Sequence, residues 1–590
     1  MFPSEPASNL VICRELESAV MTSRPSLPAP WIQALALVAL CLLCYLPGLF
    51  STPPIDRDEA RFAQASRQML ESAILPESLQ DSALHAGGFA VPLVQDKPRL
   101  NKPPLIYWAQ SASAFIFSRG DALRDSIWMY RVPSVLGAIG AVLATWWMGR
   151  RMFDERAALL AGALLATCIA VVFDAHQARS DQLLLGVTAW AMALLWNIIR
   201  QAHRNKPTGW WRWLMFWIVV GLGVLTKGLT PMVVLLTLIG FCIVQGKWWA
   251  WRAAKPMLGF IVIVAVVTPW VLAVADHVGF DNYTRILHDE VINRGTSAKE
   301  GHSGPPGYYF LTAAAMFWPA GALAIFGVWW GWRRSLSLGP KDARWKERTI
   351  RRPAELFLLC WLLPTWIFFE IYSTKLPHYT LPVYPALALL CARAAFSGSA
   401  LIKRWPARLS VIGFAAVGVL VPSAILVGSV LTGDLLPSVW LVAPFAITVI
   451  VITVLASRAL WKGFALKGVL TALVAVPPMA FLTHAIVLPR LTSFSPAIIE
   501  RLDVLGLDDR PLAATGYTED SLVFLTRGKI NKLGQDEAMT WLREHPSGVL
   551  LLRQGMLTDN AAEFRVIDSV TGFQFARGKN ITVDIVELKP

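Results

Sequence analysis

Apolar runs of membrane length recur along this chain from Trp31 to about residue 488, and that recurrence constrains the fold more than any other feature. A bilayer core about 30 Å thick needs about 20 apolar helical residues to cross, because each residue rises about 1.5 Å. The runs lie near 31–50, 131–149, 156–175, 182–200, 213–226, 231–247, 256–275, 309–332, 354–373, 380–396, 409–431, 437–457 and 468–488. They predict a polytopic α-helical membrane protein with about 13 transmembrane helices. Composition agrees, since a chain with 55% hydrophobic and 16% charged residues has too little polar surface for a soluble protein of 590 residues.

The net charge of +14 is concentrated in short connections between the runs. Arg150, Arg151 and Arg156 form one group, and Arg200, Arg204, Lys206 and Arg212 another. Lys247, Arg252 and Lys255 form a third, and a denser group runs from Arg333 to Arg352. Connections rich in Lys and Arg stay in the cytoplasm, whereas the turn 432–436 has no basic residue and belongs outside. This register gives a cytoplasmic N-terminus, an odd helix count and an exterior C-terminus. It also makes membrane lipid, not nucleic acid, the partner of the basic loops.

Residues 1–30 read as a disordered cytoplasmic leader, with Met21 as an alternative start. The run at 31–50 is too long for a signal-peptide core and is expected to be retained as the first span. Residues 31–488 form the transmembrane domain, with outer loops at about 51–130 and 276–308. Residues 489–590 turn polar and predict a small exterior α/β domain, with strands at 522–526, 549–553 and 581–587 and a helix at 537–545. None of the seven cysteines lies after Cys391, so no disulfide staples that domain.

The first outer loop opens with Ile55-Asp-Arg-Asp-Glu-Ala-Arg-Phe-Ala63, which presents Asp56, Asp58 and Glu59 just after the first span. Acids at a membrane boundary are costly and mark sites that handle a proton, an ion or a polar substrate. The stretch 59–70 has the spacing of an amphipathic surface helix, and Asp58 and Glu59 suit its N-terminus; 104–117 predicts a second such helix. Pro98-Arg-Leu-Asn-Lys-Pro-Pro104 puts Arg99 and Lys102 before two stiffening prolines, where a lysine suits a phosphate. Asp181 ends a turn at the outer edge of the third span, level with Asp58. The pair reads as a base with a positioning group, as two metal ligands, or as solvated loop acids. Lys375, His378 and Tyr379 occupy another outer turn between prolines. Glu290 and Arg294, in the second outer loop, are spaced for a simple intrahelical ion pair. No convincing P-loop, HExxH or GxSxG pattern is present.

Taken in order, five motifs carry a resemblance. They are Asp58-Glu-Ala-Arg-Phe-Ala63, Asn101-Lys-Pro-Pro-Leu-Ile-Tyr-Trp108, Ala178-Arg-Ser-Asp181, Leu225-Thr-Lys-Gly228 and Lys375-Leu-Pro-His-Tyr-Thr-Leu-Pro382. Their order and common membrane side resemble the GT-C-type glycosyltransferases that use polyprenyl-phosphate sugars. The nearest groups are the lipid A aminoarabinose transferases and the bacterial relatives of dolichyl-phosphate-mannose protein mannosyltransferases.

The resemblance implies a GT-C fold and an enzyme on the periplasmic face of a bacterial inner membrane. It would move a sugar, with inversion, from undecaprenyl phosphate to lipid A, another glycan or a protein hydroxyl. Asp58 would be the catalytic base, with Glu59 beside it and Asp181 positioning acceptor or base. Lys102 would bind the departing phosphate, with Arg61, Lys375, His378 and Tyr379 as further candidates; Glu290 and Arg294 would serve the acceptor or the loop. Asn101 stands where aminoarabinose transferases carry an acid, which leaves open both a divalent metal site using that acid and the aminoarabinose donor. No other cofactor is implied. The rival class is a transporter or flippase of lipid-linked sugars, but no internal repeat of the transporter kind is evident.

Overall fold

A computed structural model describes residues 27–288, 304–336, 352–432, 435–556 and 563–589. The apolar runs fall mainly on helix, although that at 309–332 is divided into Tyr308–Met316 and Ala324–Ser335. Among the described residues, seven helices are long and apolar enough to cross a membrane: Ile127–Met152, Ser180–His203, Trp249–Val278, Pro353–Ile371, Trp405–Leu431, Val439–Trp461 and Ala465–Leu491. An eighth candidate is the pair Glu155–Ala166 and Ile169–Ala175, bent by 54° at a short break. The run at 31–50 is helical over Pro30–Tyr45, and Trp210–Lys227 and Thr230–Gln245 cover the fifth and sixth runs.

Burial divides these helices into inner and outer members. Ser180–His203 and Ile127–Met152 are largely enclosed, whereas Trp249–Val278 and Trp405–Leu431 present most of their apolar surface outward, as lipid-facing helices do. The two inner helices touch backbone to backbone. A Cβ on Gly137 would stand 2.5 Å from the Gln182 carbonyl oxygen, and one on Gly186 would stand 2.5 Å from that of Gly137. Close contact of this kind needs residues without side chains, and here it fixes the N-terminal end of Ser180–His203.

The expected surface helix of the first outer loop forms as Asp58–Ile74. It is covered rather than bare. Except for Arg61, its residues from Glu59 to Glu71 are buried, between the helix Leu105–Phe117 and the C-terminal domain. A two-stranded ribbon, β1 (Leu93–Val94) and β2 (Lys97–Pro98), lies in the same loop.

The C-terminal domain holds a five-stranded sheet of β3 (Leu512–Thr515), β4 (Asn531–Lys532), β5 (Val549–Arg553), β6 (Phe564–Gln574) and β7 (Lys579–Leu588), in the order β4-β3-β5-β7-β6. The first three strands are parallel to one another, and β7 is antiparallel to both of its neighbours. The expected strands at 549–553 and 581–587 and the helix at 537–545 are present as β5, β7 and Gln535–Glu544. The strand expected at 522–526 is instead the short helix Asp520–Leu525. Leu522, Val523 and Phe524 are all buried there, and a short apolar run enclosed on every side carries no period to separate helix from strand.

That helix docks the domain onto the first outer loop. Arg67 Nη1 donates to the Phe524 carbonyl at 2.5 Å, and Arg67 Nε lies 2.7 Å from Asp125 Oδ2. Arg527 reaches the other Asp125 oxygen at 2.8 Å and also pairs with Glu71. The Asp125 side chain is fully enclosed by these two cations and the Tyr130 hydroxyl.

Candidate functional site

Three helix ends and two loops meet in one cavity of about 840 Å³ under the C-terminal domain. Asp58 occupies the first turn of Asp58–Ile74, and Asp181 the first turn of Ser180–His203. Acids at these positions are favoured by the N-terminal end of the helix dipole. Lys227 is the last residue of Trp210–Lys227, which is closed by Gly228 at φ +74°, a conformation glycine adopts without strain. Lys102 comes from the loop before Leu105–Phe117, and His378 and Tyr379 from the tight turn Pro377–Val383. Gly516, Thr518, Glu519, Asp520, Lys532, Gln574 and Arg577 of the C-terminal domain complete the wall.

The Asp58 helix opens under strain. Arg57 precedes it with φ +69° and ψ −118°, a conformation that costs a residue with a side chain about 1–3 kcal/mol. Its guanidinium donates to the Ala576 carbonyl across the cavity mouth at 3.3 Å, so the strained residue is tied to the C-terminal domain.

The charges form a chain. Arg179 Nη2 lies 3.8 Å from Asp58 Oδ2 and 3.3 Å from Asp181 Oδ2, and Nη1 lies 3.3 Å from Asp174. Asp181 Oδ1 receives Lys227 Nζ at 2.6 Å, with His378 Nε2 3.8 Å away. Arg99 reaches Asp58 Oδ1 at 3.4 Å while its guanidinium covers the Phe62 ring. Lys227 Nζ also sits over the Tyr379 ring at 5.7 Å. The two acids differ in access: the Asp58 side chain is 53% exposed and that of Asp181 only 6%. Of the two, Asp58 is the carboxylate open to the cavity.

Partial burial opposes ionisation of Asp58, but Arg179, Arg99 and Lys227 outweigh it and hold the carboxyl down at about 2. Burial pushes His378 down to about 3, with Arg179 and Lys227 adding to the effect against the pull of Asp181. The imidazole is thus neutral near pH 7. Lysine and arginine outnumber acids in the wall by eight to four, which suits an anionic ligand.

Several expected residues are brought together: Asp58, Arg61, Lys102, Asp181, His378 and Tyr379 all line the cavity. Arg61 does so while paired with Asp520 at 2.6 Å. Glu59 does not line it. Its carboxylate is 1% exposed, held by Arg131 at 2.8 and 3.0 Å and by the amides of Ala178 and Ile55. Lys375 also turns away, toward Glu370 at 3.6 Å and the Pro305 carbonyl at 3.2 Å. Glu290 and Arg294 lie outside the described residues. Among the described residues, no group of three His, Cys, Asp or Glu side chains is placed to hold a metal ion.

Arg179 and Lys227 are central here, and sequence reasoning gave neither a role. Lys227 did carry a signal, as a single cation at the outer end of a span, where positive charge is disfavoured.

A family model for dolichyl-phosphate-mannose-protein mannosyltransferase matches residues 101–272. The undecaprenyl phosphate-alpha-4-amino-4-deoxy-L-arabinose arabinosyl transferase of Erwinia tasmaniensis is 28% identical over 361 residues, which are 59% of this chain and 57% of that protein. The protein of the same name from Enterobacter sp. strain 638 is 29% identical over 371 residues, 61% of this chain and 59% of its own length. The chain thus spans less than two thirds of the length of these relatives. In fold the likeness is broader: the crystal structure of ArnT from Cupriavidus metallidurans bound to undecaprenyl phosphate superposes with a TM-score of 0.69 at 21% identity, covering 95% of this chain and 98% of that one. The chain is a multi-pass membrane protein with the GT-C fold, and it resembles the polyprenyl-phosphate-sugar glycosyltransferases in sequence and motif order.

Proposed function

We propose that this protein transfers a sugar from a polyprenyl phosphate, such as undecaprenyl phosphate, to an acceptor hydroxyl on the periplasmic face of a bacterial inner membrane. Acceptors of the right chemistry are lipid A, another glycan or a protein side chain. A fold alone does not assign an activity, so the reading rests on the site. The observation that carries it is the half-exposed, ionised Asp58 set among cations at the mouth of the cavity.

In this reading Asp58 accepts the proton of the acceptor hydroxyl as it attacks the anomeric carbon, and the polyprenyl phosphate leaves from the opposite side. Lys102, Arg99 and Lys227 take up the charge that grows on the phosphate. A carboxyl held near 2 is a weak base in the empty enzyme. Donor phosphate changes that, because it competes for the cations that hold Asp58 down and so raises its pKa as the substrates assemble. Asp181, enclosed and paired, positions Lys227 and Arg179 rather than taking a proton. Glu59 fixes the start of the Asp58 helix to Arg131, and Lys375 holds the 305 loop.

Purified protein in lipid, supplied with a panel of polyprenyl-phosphate sugars and acceptor extract, tests the proposal. Release of free polyprenyl phosphate by wild type, lost in folded Asp58→Asn and Lys102→Ala, is the expected result. Full activity in Asp58→Asn removes the base assignment. Passage of a lipid-linked sugar across the bilayer with no donor consumed replaces the enzyme by a flippase.

A further inference from the structure

Each end of Ser180–His203 borders a cavity. About 30 Å from Asp181, at 1.5 Å per residue, its last turn opens on a second cavity of about 320 Å³. Arg151, Arg200, Arg204, Arg352 and Arg393 line it. They come from the ends of four helices, Ile127–Met152, Ser180–His203, Pro353–Ile371 and Tyr384–Ala395, whose other ends lie toward the Asp58 cavity.

We propose that this cavity binds a phosphate group on the membrane face opposite Asp58, supplied either by an anionic phospholipid headgroup or by free phosphate. Basic residues in connections between spans are ordinary on one side of a membrane, where each is solvated separately. Their convergence from four helix ends into one concavity is not ordinary, because like charges repel and partial burial strengthens the repulsion.

The acids in the wall do not relieve it. Asp154 accepts the Ala157 amide at 2.9 Å as the cap of Glu155–Ala166, and Glu355 lies 3.7 Å from Arg334. Among the described residues, no carboxylate comes within 4.0 Å of the five guanidinium groups. A phosphate supplies the missing charge and matches the fork of a guanidinium with two oxygens. The rest of the wall is His203 together with apolar side chains, among them Phe153, Trp196 and Ile199. That combination favours a ligand with a charged head and an apolar body. The volume equals about ten waters, room for a phosphodiester headgroup.

The test uses the full chain in nanodiscs of phosphatidylcholine alone, of phosphatidylcholine with phosphatidylglycerol, and of phosphatidylcholine with millimolar inorganic phosphate. Thermal midpoint and lipid retained after detergent exchange, read by native mass spectrometry, are compared. Wild type is expected to melt higher with phosphatidylglycerol and to retain it. Arg200→Gln and Arg393→Gln should weaken retention by about tenfold or more, the loss of one strong contact. Arg393→Lys should weaken it less, and Arg458→Gln, outside the cavity, should match wild type. A shift reproduced by inorganic phosphate without lipid retention identifies free phosphate as the ligand. Equal wild-type behaviour in all three conditions overturns the proposal, and so does retention unchanged in both glutamine variants. If those variants fail to fold, the wild-type comparison still decides whether the anion is bound.

Discussion

Lys227 Nζ rests 2.6 Å from Asp181 Oδ1, which ties the last residue of one helix to the first turn of its neighbour at one end of the bundle. The pair lies at the floor of the Asp58 cavity, and Asp181 also holds Arg179, the cation shared with Asp58. One buried carboxylate therefore sets the position of two of the charges that face the cavity.

Lys227→Met tests whether that charge serves the ligand or only the fold. Asp181 keeps Arg179 at 3.3 Å after the change, so its charge is not abandoned and the protein should remain folded. Turnover of a polyprenyl-phosphate sugar should fall about 10²–10³-fold, the usual cost of removing one group that stabilises a transition-state oxyanion. The thermal midpoint should move little. A large drop in midpoint with proportionate loss of activity would make Lys227 a structural cation instead.

Glu59→Gln should act on stability first. Its partner Arg131 is completely enclosed and also donates to the Leu49, Thr52 and Pro53 carbonyls, so the guanidinium cannot move to water. Leaving a buried charge without its counter-ion costs about 3–5 kcal/mol. Reduced folded yield and a lower midpoint are expected, with normal turnover per folded molecule. Normal stability with lost turnover would return Glu59 to the catalytic group.

The adjacency of Asp58 and Glu59 shows what the sequence could reveal. Both acids announce themselves after the first span, but successive helical residues diverge by about 100°, so one faces the cavity and the other the core. Nothing local says which is which. The spans were legible because apolar length is a local property, Asp181 because charge at a span end is costly wherever it occurs, and Lys102 because two stiffening prolines follow it in a loop. Arg179 and Lys227 acquire their roles through helix ends that converge only in the packed bundle. Asp520 and Lys532 enter the wall from a domain hundreds of residues along the chain, and their charges look ordinary in a polar segment.

Asp56 gives the pH dependence a definite sign. Burial, with Glu519 and Asp520 nearby, pushes its carboxyl up to about 6, against the bond it accepts from the Ser521 amide. An unfolded aspartate titrates near 4, so between about pH 4 and 6 the folded protein holds the extra proton. Its contribution to stability is present below pH 4, falls as pH rises through 6, and stays lost above. Asp56→Asn keeps an oxygen for Ser521 and removes the charge. The variant should melt higher than wild type at pH 7 and equal it near pH 4. The same midpoint difference at both pH values would show that Asp56 does not titrate in this window.

Asp125 joins the C-terminal domain to the membrane part, and its loss should uncouple them. The fully enclosed carboxylate is shared by Arg67 of the first outer loop and Arg527 of the domain, and both cations hold it below its ordinary range. Asp125→Asn leaves two guanidinium groups facing each other with Glu71 as their nearest acid. Breaking a buried pair from one side costs about 3–5 kcal/mol, enough to compete with domain docking. Limited proteolysis should then cut near residues 489–494 faster than in wild type, while the transmembrane part keeps its melting transition. Donor turnover should fall with the released fraction, because Lys532, Arg577 and the Ala576 carbonyl that restrains Arg57 all leave the cavity with the domain. Unchanged proteolysis with full turnover would mean that the Arg67 contact to Phe524 and the Asp56 contact to Ser521 hold the domain without Asp125.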